Sequence, residues 1–526
     1  MLRTDPITLV KLLSDAGVRD AELRGAPGAL LTGLADHAER VEPGACFVAQ
    51  RGANSDSHHF VGRAVERGAA AVIASEPVPV PDGVALALVR DSRRALGHIA
   101  QAAAGNPAKA LAVLGVTGTN GKTTVAWLTE SILADAGISA GRIGTLGYAF
   151  AGSEHSLNNT TPGPIELADI MRRMRAAGVT HLAMEVSSHA IDQGRVNGVP
   201  FLAGALTSIG QDHLDYHGTF ENYVACKKRF FTEHLGPSRG VWVLNLDEAA
   251  GEELRDAAGG APVSTYALGT RASATIQSGD VHTTASFSEF ILRIRCEVGR
   301  VRAPLVGSFN ISNMMAAAGL CDAAGLDVRS IARGLCGCRP APGRFERVDA
   351  GQPFTVLVDY AHTPDALERT LRAARRLASS RLLCVMGAGG NRDAGKRPLM
   401  GRACAQLADY TVVTSDNPRF EDPEAIIAQI LAGFREERTP RSRYTAITDR
   451  RLAIESALRM AAPGDCVLIA GKGHEDYQEV AGVRHPFDDR VAARGALAAM
   501  AADWAQGRSP VESASIETHT EGATWN

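Results

Sequence analysis

Short apolar runs at 110–116, 180–186, 202–207 and 240–245 are separated by longer stretches in which apolar residues return every three or four positions. Runs that are apolar throughout suit strands covered on both faces, and the intervening stretches suit the helices that cover them. Residues 105–343 therefore read as a domain with a mostly parallel sheet. Between 263 and 306 apolar and polar residues alternate, which predicts an antiparallel excursion from that sheet. After Pro342-Gly343-Arg344 the pattern restarts, with strands near 354–359, 381–387, 409–414 and 465–470 and helices at 364–378, 397–407 and 450–460. This predicts a second α/β domain over 344–505. Residues 1–104 carry shorter elements, strands at 45–49 and 69–73 and helices at 60–68 and 92–104, and Gly105-Asn106-Pro107 punctuates their end. The fold class is thus α/β in three domains, followed by a Ser/Thr/Glu-rich tail at 506–526 that reads as disordered.

Composition narrows the setting. A chain of 526 residues is too long for one core. A formal charge of -3 and a pI of about 6.6 provide no basic footprint, so neither nucleic acid nor an anionic membrane surface is expected as a partner. The nine cysteines are odd in number and scattered, which argues against a disulfide framework and for a reducing compartment. Cys336-Gly337-Cys338 has no second Cys/His pair nearby to complete a zinc site. The N-terminus lacks a signal-type apolar region and no run is long enough to span a bilayer, so a cytoplasmic protein is expected.

The chemistry is concentrated where the strands end. Gly118, Thr119, Asn120, Gly121, Lys122, Thr123 and Thr124 join the 110–116 strand to a helix beginning near Thr123, which predicts a phosphate-binding loop. Glycines let backbone N–H groups turn toward polyphosphate oxygens, Lys122 adds a point charge, and Thr123 offers a hydroxyl to Mg2+. Val116 stands where the strict motif has glycine. Glu185 and His189 follow the strand at 180–186, and a carboxylate there can complete Mg2+ coordination. Gln211 to Gly218 packs Asp212, His213, Asp215 and His217 into one stretch; Asp212 or His213 can bind a metal, or Asp212 or Asp215 can cap a helix. Lys227, on a helix expected at 221–231, reads by itself as surface charge. Three polar loops, 359–365, 387–393 and 471–477, end three strands of the last domain and define one rim. Arg392, Lys396 and Arg419 lie in or beside such loops and suit a carboxylate or phosphoryl partner.

The order and spacing of these landmarks resemble those of the Mur ligases, ATP-dependent amide-forming enzymes of peptidoglycan precursor synthesis. The resemblance covers about 110–490 and rests on Gly115 to Thr124, Thr160-Thr161-Pro162, Glu185 to His189, Asp212 to Gly218, Gly307 to Asn313, Gly343-Arg344, Asp359 to Asp365, Asp416-Asn417-Pro418-Arg419 and Gly471 to Gln478. It implies an N-terminal UDP-sugar domain, a central P-loop ATPase domain and a C-terminal Rossmann-like domain that receives the amino acid. The implied catalytic residues are Lys122, Glu185, His213 and Lys227. Thr123, Glu185, His213 and a carbamylated Lys227 would hold Mg2+. Asn310, Asn313, Arg344 and Asp359 would serve ATP, and Thr160, Thr161, Ser187, Gln193 and Arg195 the UDP-muramoyl dipeptide. The Asp-Asn-Pro-Arg form at 416–419 resembles members that add meso-diaminopimelate, with Arg392, Asn417, Arg419, Gly471 and Glu475 matching that pocket. A monomer is implied. At 37–39 the chain reads His37-Ala38-Glu39 where Asp-Ser-Arg is usual. Two acceptors therefore stay open, the UDP-muramoyl dipeptide or a different carboxylate used by a paralogue in specialised metabolism.

Overall fold

Strand pairing divides the architecture among several sheets. The structure is a computed structural model that describes residues 1–52, 55–236, 240–284 and 286–505. The tail expected at 506–526 lies outside the described residues. The chain forms two compact units, the first made of Met1–Thr283 and Phe287–Arg339 and the second of 284–286 together with residues from Pro340 onward.

The first unit holds two sheets. In the six-stranded one, Leu30–Ala35, Ala45–Val48, Ala71–Ala74 and Ala85–Leu88 run parallel, with Leu2–Thr8 and Glu22–Arg24 antiparallel at the two edges. The helix Ser92–Ala103, capped by the Asp91 side chain, buries Leu96, Ile99 and Ala100 against this sheet. The same cluster takes Ile165 and Ala168 from the helix Pro164–Ala176, so the small sheet is packed onto the larger one's helical layer. Gly97 makes the approach possible, since a Cβ there would lie 2.4 Å from the Asn197 carbonyl oxygen.

The larger sheet has eleven strands. Ala140–Gly144, His181–Glu185, Ala112–Thr117, Phe201–Leu206, Val241–Asn245, Val263–Ala267 and Ile276–Thr283 lie side by side and parallel. The antiparallel excursion expected at 263–306 is present in its later part, beginning after Ile276–Thr283. Val263–Ala267 and Ile276–Thr283 extend the parallel sheet, and only Ser288–Ile294 and Glu297–Ala303 turn antiparallel at its rim, where one face meets water. Register fixes the functional edge: Glu185 pairs with Val116, and Leu206 pairs with Thr117. Three strands thus end level, and the loops after them emerge together. Helices Lys122–Asp135 and Ser308–Ala323 cover this region through Val125, Leu128, Ile132, Met314, Met315 and the alanines 316–318. Small residues let the second helix seat closely, and at Gly319 a Cβ would come within 2.6 Å of Val243.

In the second unit the strands Thr355–Asp359, Cys466–Ala470, Leu382–Met386, Tyr410–Val413 and Tyr444–Ala446 run parallel in that order, with Glu346–Arg347 antiparallel at one edge. A hairpin of Tyr477–Val480 and Val483–Pro486 follows the central strand. Beneath the strand ends Arg450 and Asp489 form an ion pair at 2.7 Å in which both side chains are fully buried. Arg450 also donates to the carbonyls of Ala470 and Ser415, so its charge is matched on every side the bonds describe. Removing one partner should strand the other charge. We expect Arg450→Met to destabilise the second unit by about 3–5 kcal/mol in urea unfolding, and Arg450→Met combined with Asp489→Leu to recover most of it. A single variant with the wild-type midpoint would refute this account.

Candidate active site

The loop after Ala112–Thr117 is bolted to the loop after Phe201–Leu206. Thr119 donates its N–H to the Ser208 carbonyl at 2.6 Å, and the Thr207 hydroxyl donates to the carbonyls of Asn120 at 2.6 Å and Thr117 at 3.2 Å. Gly118 and Gly121 have positive φ, and a Cβ would meet Thr207 Oγ1 at 1.9 Å in one case and Asn313 Oδ1 at 2.4 Å in the other. Only glycine fits both positions. Asn313 thereby abuts the loop, and its side chain donates to Asn310 Oδ1 at 3.3 Å. Thr123 and Thr124 lie in the first turn of the helix, whose open N–H groups face the loop.

Two ammonium groups converge on one carbonyl. Lys122 Nζ donates to the Gly118 oxygen at 2.9 Å and to that of Thr119 at 2.9 Å, and Lys227 Nζ donates to the same Gly118 oxygen at 2.8 Å. The surface charge that Lys227 suggests when read by itself is not what the fold gives: it is 2% exposed, on the inner face of Phe220–Arg229, with Nζ 4.5 Å from the Tyr223 ring centre. Burial, and then Lys122, hold its ammonium well below the ordinary lysine range. Tyr223 also joins its hydroxyl to Thr119 Oγ1 at 3.0 Å, which ties this helix to the loop.

A hydroxyl and a carboxylate face each other beside the lysines. Thr123 Oγ1 donates to Glu185 Oε2 at 3.1 Å, and Thr145 fixes both carboxylate oxygens, its N–H on Oε1 at 2.8 Å and its hydroxyl on Oε2 at 3.1 Å. Sequence reasoning missed Thr145 and Tyr223, since neither stands in a motif that signals chemistry. A buried, oriented carboxylate with hydroxyls around it is a hard-oxygen set, and such a set fits Mg2+. The five residues expected to meet the acceptor form one connected group around it. Thr160 touches Thr145 through the hydroxyls at 3.1 Å, Thr161 donates to the Glu185 carbonyl at 2.8 Å, and the Ser187 N–H donates to Thr161 Oγ1 at 3.1 Å. Arg195 donates to the Thr161 carbonyl at 2.8 Å and to Gln193 Oε1 at 2.7 Å.

His213 has a left-handed backbone, with φ 53°, and stands before the short helix Leu214–His217. Its ring packs edge-on against His189, and burial followed by His213 and His217 pulls the His189 imidazole down to about 4. A helix starts here, but neither Asp212 nor Asp215 is its cap: His213 holds that position without a side-chain bond, and the next helix, Phe220–Arg229, is capped by the Thr219 hydroxyl, which accepts from Asn222 N–H. At the N-terminal departure, Glu39 pairs with Arg63 at 3.1 Å and Arg67 at 3.7 Å at the protein surface.

In the second unit, Asn417 Nδ2 donates to Glu475 Oε2 at 2.7 Å, and Gly471, with φ 120°, has Asp416 where a Cβ would stand. Burial would raise the Asp416 carboxyl, but Lys472 and Arg450 beside it bring it below the ordinary carboxylate range. Arg419 is also left-handed, with φ 54°, and donates to the Gly390 carbonyl at 2.7 Å. Arg392 is exposed on the neighbouring loop, and Lys396 opens the helix Lys396–Leu407. Asp359 is held by the N–H groups of Phe345 at 2.7 Å and Ala361 at 2.9 Å, and Arg344 lies 4.5 Å over the Tyr360 ring. Lys472, fully buried, was missed because a lysine between two glycines reads as a loop charge.

Residues 116–321 match the Mur ligase middle domain and residues 343–473 the Mur ligase glutamate ligase domain. The class defined by this fold and site is therefore an α/β ligase of several sheets. UDP-N-acetylmuramoyl-L-alanyl-D-glutamate--2,6-diaminopimelate ligase of Syntrophomonas wolfei is 41% identical over 464 residues, covering 88% of this chain and 94% of that protein. The protein of the same description from Geobacillus kaustophilus is 42% identical, covering 87% of this chain and 93% of its own length. A solved structure of a UDP-N-acetylmuramoyl-L-alanyl-D-glutamate--2,6-diaminopimelate ligase superposes with a TM-score of 0.68 at 31% identity, covering 94% of this chain and all of the other. The chain belongs to the Mur ligase family, and its full-length likeness lies with the MurE type.

The depressed Lys227 ammonium has a measurable consequence. Between its native pKa and that of an unfolded lysine, the unfolded chain holds a proton that the folded protein lacks, so stability rises with pH through that window. In CO2-free buffer without nucleotide, the stability of wild type relative to Lys227→Met should increase from pH 7 to pH 9 in chemical unfolding. Parallel pH profiles for the two proteins would contradict it.

Proposed function

We propose that this protein is an ATP-dependent amide ligase that adds meso-diaminopimelate to UDP-N-acetylmuramoyl-L-Ala-D-Glu in peptidoglycan precursor synthesis. The observation that carries this reading is the extent of the likeness: identity of 41% with a ligase described for that reaction runs over 88% of the chain. We also propose a division of labour, with 1–104 serving the UDP-sugar, 105–343 acting as a P-loop ATPase domain and 344–505 as a Rossmann-like domain for the amino acid. No helix among the described residues is long and apolar enough to cross a membrane.

A peptide carboxylate is a poor electrophile. Attack by its oxygen on the γ-phosphorus of ATP expels ADP and leaves an acyl phosphate, which the amine opens through a tetrahedral intermediate with loss of phosphate. In this reading Gly118 to Thr124 form the phosphate loop, and Lys122 exchanges its two carbonyl partners for phosphoryl oxygens. Asn310 and Asn313 are assigned to the adenine. Thr123, Glu185, His213 and Lys227 would hold Mg2+, which when bound orients the phosphoryl group and offsets its developing charge. Thr160, Thr161, Ser187, Gln193 and Arg195 are assigned to the muramoyl peptide, where Arg195 offers a cation to a carboxylate.

Lys227 is proposed to carry a carbamate. A buried amine with a second lysine across one carbonyl favours its neutral form, and a neutral amine adds CO2 with release of a proton. The product replaces a cation by an anion between the loop and Tyr223, which removes the repulsion with Lys122. We expect a carbamate resonance in 13C NMR of the protein under 13CO2, absent from Lys227→Ala. An identical spectrum from the variant would remove this assignment.

Arg392, Asn417, Arg419, Gly471 and Glu475 are assigned to the amine donor. Meso-diaminopimelate carries an ammonium and a carboxylate at its distal carbon, whereas L-lysine carries the ammonium alone. Lysine leaves a guanidinium unmatched, at a cost of about 1–3 kcal/mol. The purified protein should release ADP and phosphate only with the muramoyl dipeptide and an amine together, and prefer meso-diaminopimelate over L-lysine by about 10^2-fold in kcat/KM. Formation of AMP and pyrophosphate, or equal rates with both amines, would overturn the reading.

A further inference from the structure

Lys472 has no exposed surface, and beyond its pull on Asp416 nothing in the assignments above uses its donors. Its Nζ donates to Asn417 Oδ1 at 3.1 Å and to Glu475 Oε2 at 3.1 Å. Asn417 Oδ1 also accepts the Glu479 N–H at 2.9 Å, while Asn417 Nδ2 donates to the same Glu475 Oε2 at 2.7 Å. Two donors on Oδ1 and an acceptor against Nδ2 permit one orientation of the Asn417 carboxamide. Two donors on Glu475 Oε2 leave Oε1 as the lightly engaged oxygen, with a long contact of 3.5 Å from the Tyr360 hydroxyl.

The hairpin completes the frame. Gln478 Nε2 donates to the Asp416 carbonyl at 2.7 Å, Arg419 N–H donates to the Glu479 carbonyl at 3.0 Å, and Ala481 N–H donates to the Arg419 carbonyl at 2.6 Å. Residues 416–419 are therefore held from one side by the hairpin, through its backbone and the Gln478 side chain, and from below by one buried cation. A lysine with no exposure whose donors go to the two side chains assigned to a ligand is poorly explained as fold support alone. Asp416, the other carboxylate beside it, feels Lys472 and Arg450 through space, but the hydrogen bonds of Lys472 Nζ go to Asn417 and Glu475.

We propose that Lys472 is the positioning residue of the amine-donor pocket. It fixes Asn417 and one oxygen of Glu475 so that the other oxygen receives the donor's distal ammonium. The inference rests on the reading that this pocket takes meso-diaminopimelate, and it adds which residue sets discrimination for the distal ammonium.

The test compares meso-diaminopimelate with 2-aminopimelate, which lacks the distal ammonium, in the full-length protein. Wild type should prefer meso-diaminopimelate. Lys472→Met should raise KM for it about 10-fold or more with kcat within about threefold, and lower the preference ratio by about 10-fold, while KM for ATP stays near wild type. Lys472→Arg, which keeps the charge, should recover part of the ratio. If Lys472→Met is recovered unfolded, Lys472→Gln, which keeps a donor to Asn417, is read in the same way. A preference ratio unchanged in a folded, active Lys472 variant would overturn the positioning role alone. A wild type that does not turn over meso-diaminopimelate would overturn the donor reading beneath it.

Discussion

Two lysine side chains donating to the Gly118 carbonyl set the terms for the first unit. Their convergence concentrates positive charge there, and burial, then Lys122, depresses the Lys227 ammonium against an opposing pull from Asp212. The loop is held by Thr207 and Ser208 through backbone groups and neutral hydroxyls, and the Lys227 ammonium lies over the face of the Tyr223 ring. An anion arriving at the loop meets a site whose field is already in place, which is the condition for electrostatic stabilisation without reorganisation.

A fixed carboxylate stands beside this loop. Glu185 is fixed by Thr145 and Thr123, so an oriented carboxylate with hydroxyls around it stands beside the glycine loop. The parallel register is what makes this possible. Pairing of Glu185 with Val116 and of Leu206 with Thr117 brings three strand ends level, and Thr161, Ser187 and Arg195 follow from the loops that those ends project.

The second unit solves a different problem, that of keeping several charges buried at strand ends without collapse onto one another. Arg450 is taken by Asp489, and Lys472 by Glu475 and Asn417, with Asp416 between the two cations. Each pairing is geometrically distinct, so the cluster specifies side-chain orientation as well as charge balance. The left-handed backbone at Arg419 is retained because the hairpin hydrogen-bonds on both sides of it.

Much of this was legible in the chain itself. The apolar runs placed the principal strands of both large sheets within a residue or two, because strands buried on both faces leave continuous apolar stretches. The glycine loop was legible because Gly118 and Gly121 occupy backbone conformations that no other residue adopts comfortably. The hairpin at 477–486 and the strand Tyr444–Ala446 were not, being short and exposed or single-faced. The antiparallel excursion expected at 263–306 holds from Ile276–Thr283 through Glu297–Ala303, while Val263–Ala267 pairs parallel on both sides, since alternation reports a half-exposed face and not the direction of pairing. Lys227 and Lys472 mark the limit most clearly. A lysine's burial depends on which helix face or loop meets which neighbour, and that is decided by packing partners more than a hundred residues away for Lys227 and more than fifty for Lys472. Local sequence thus determined where the elements and the phosphate-type loop lie. Tertiary structure alone decided which charges are buried, what they face and how far their proton affinities move, because desolvation and electrostatic pairing are properties of assembled surroundings.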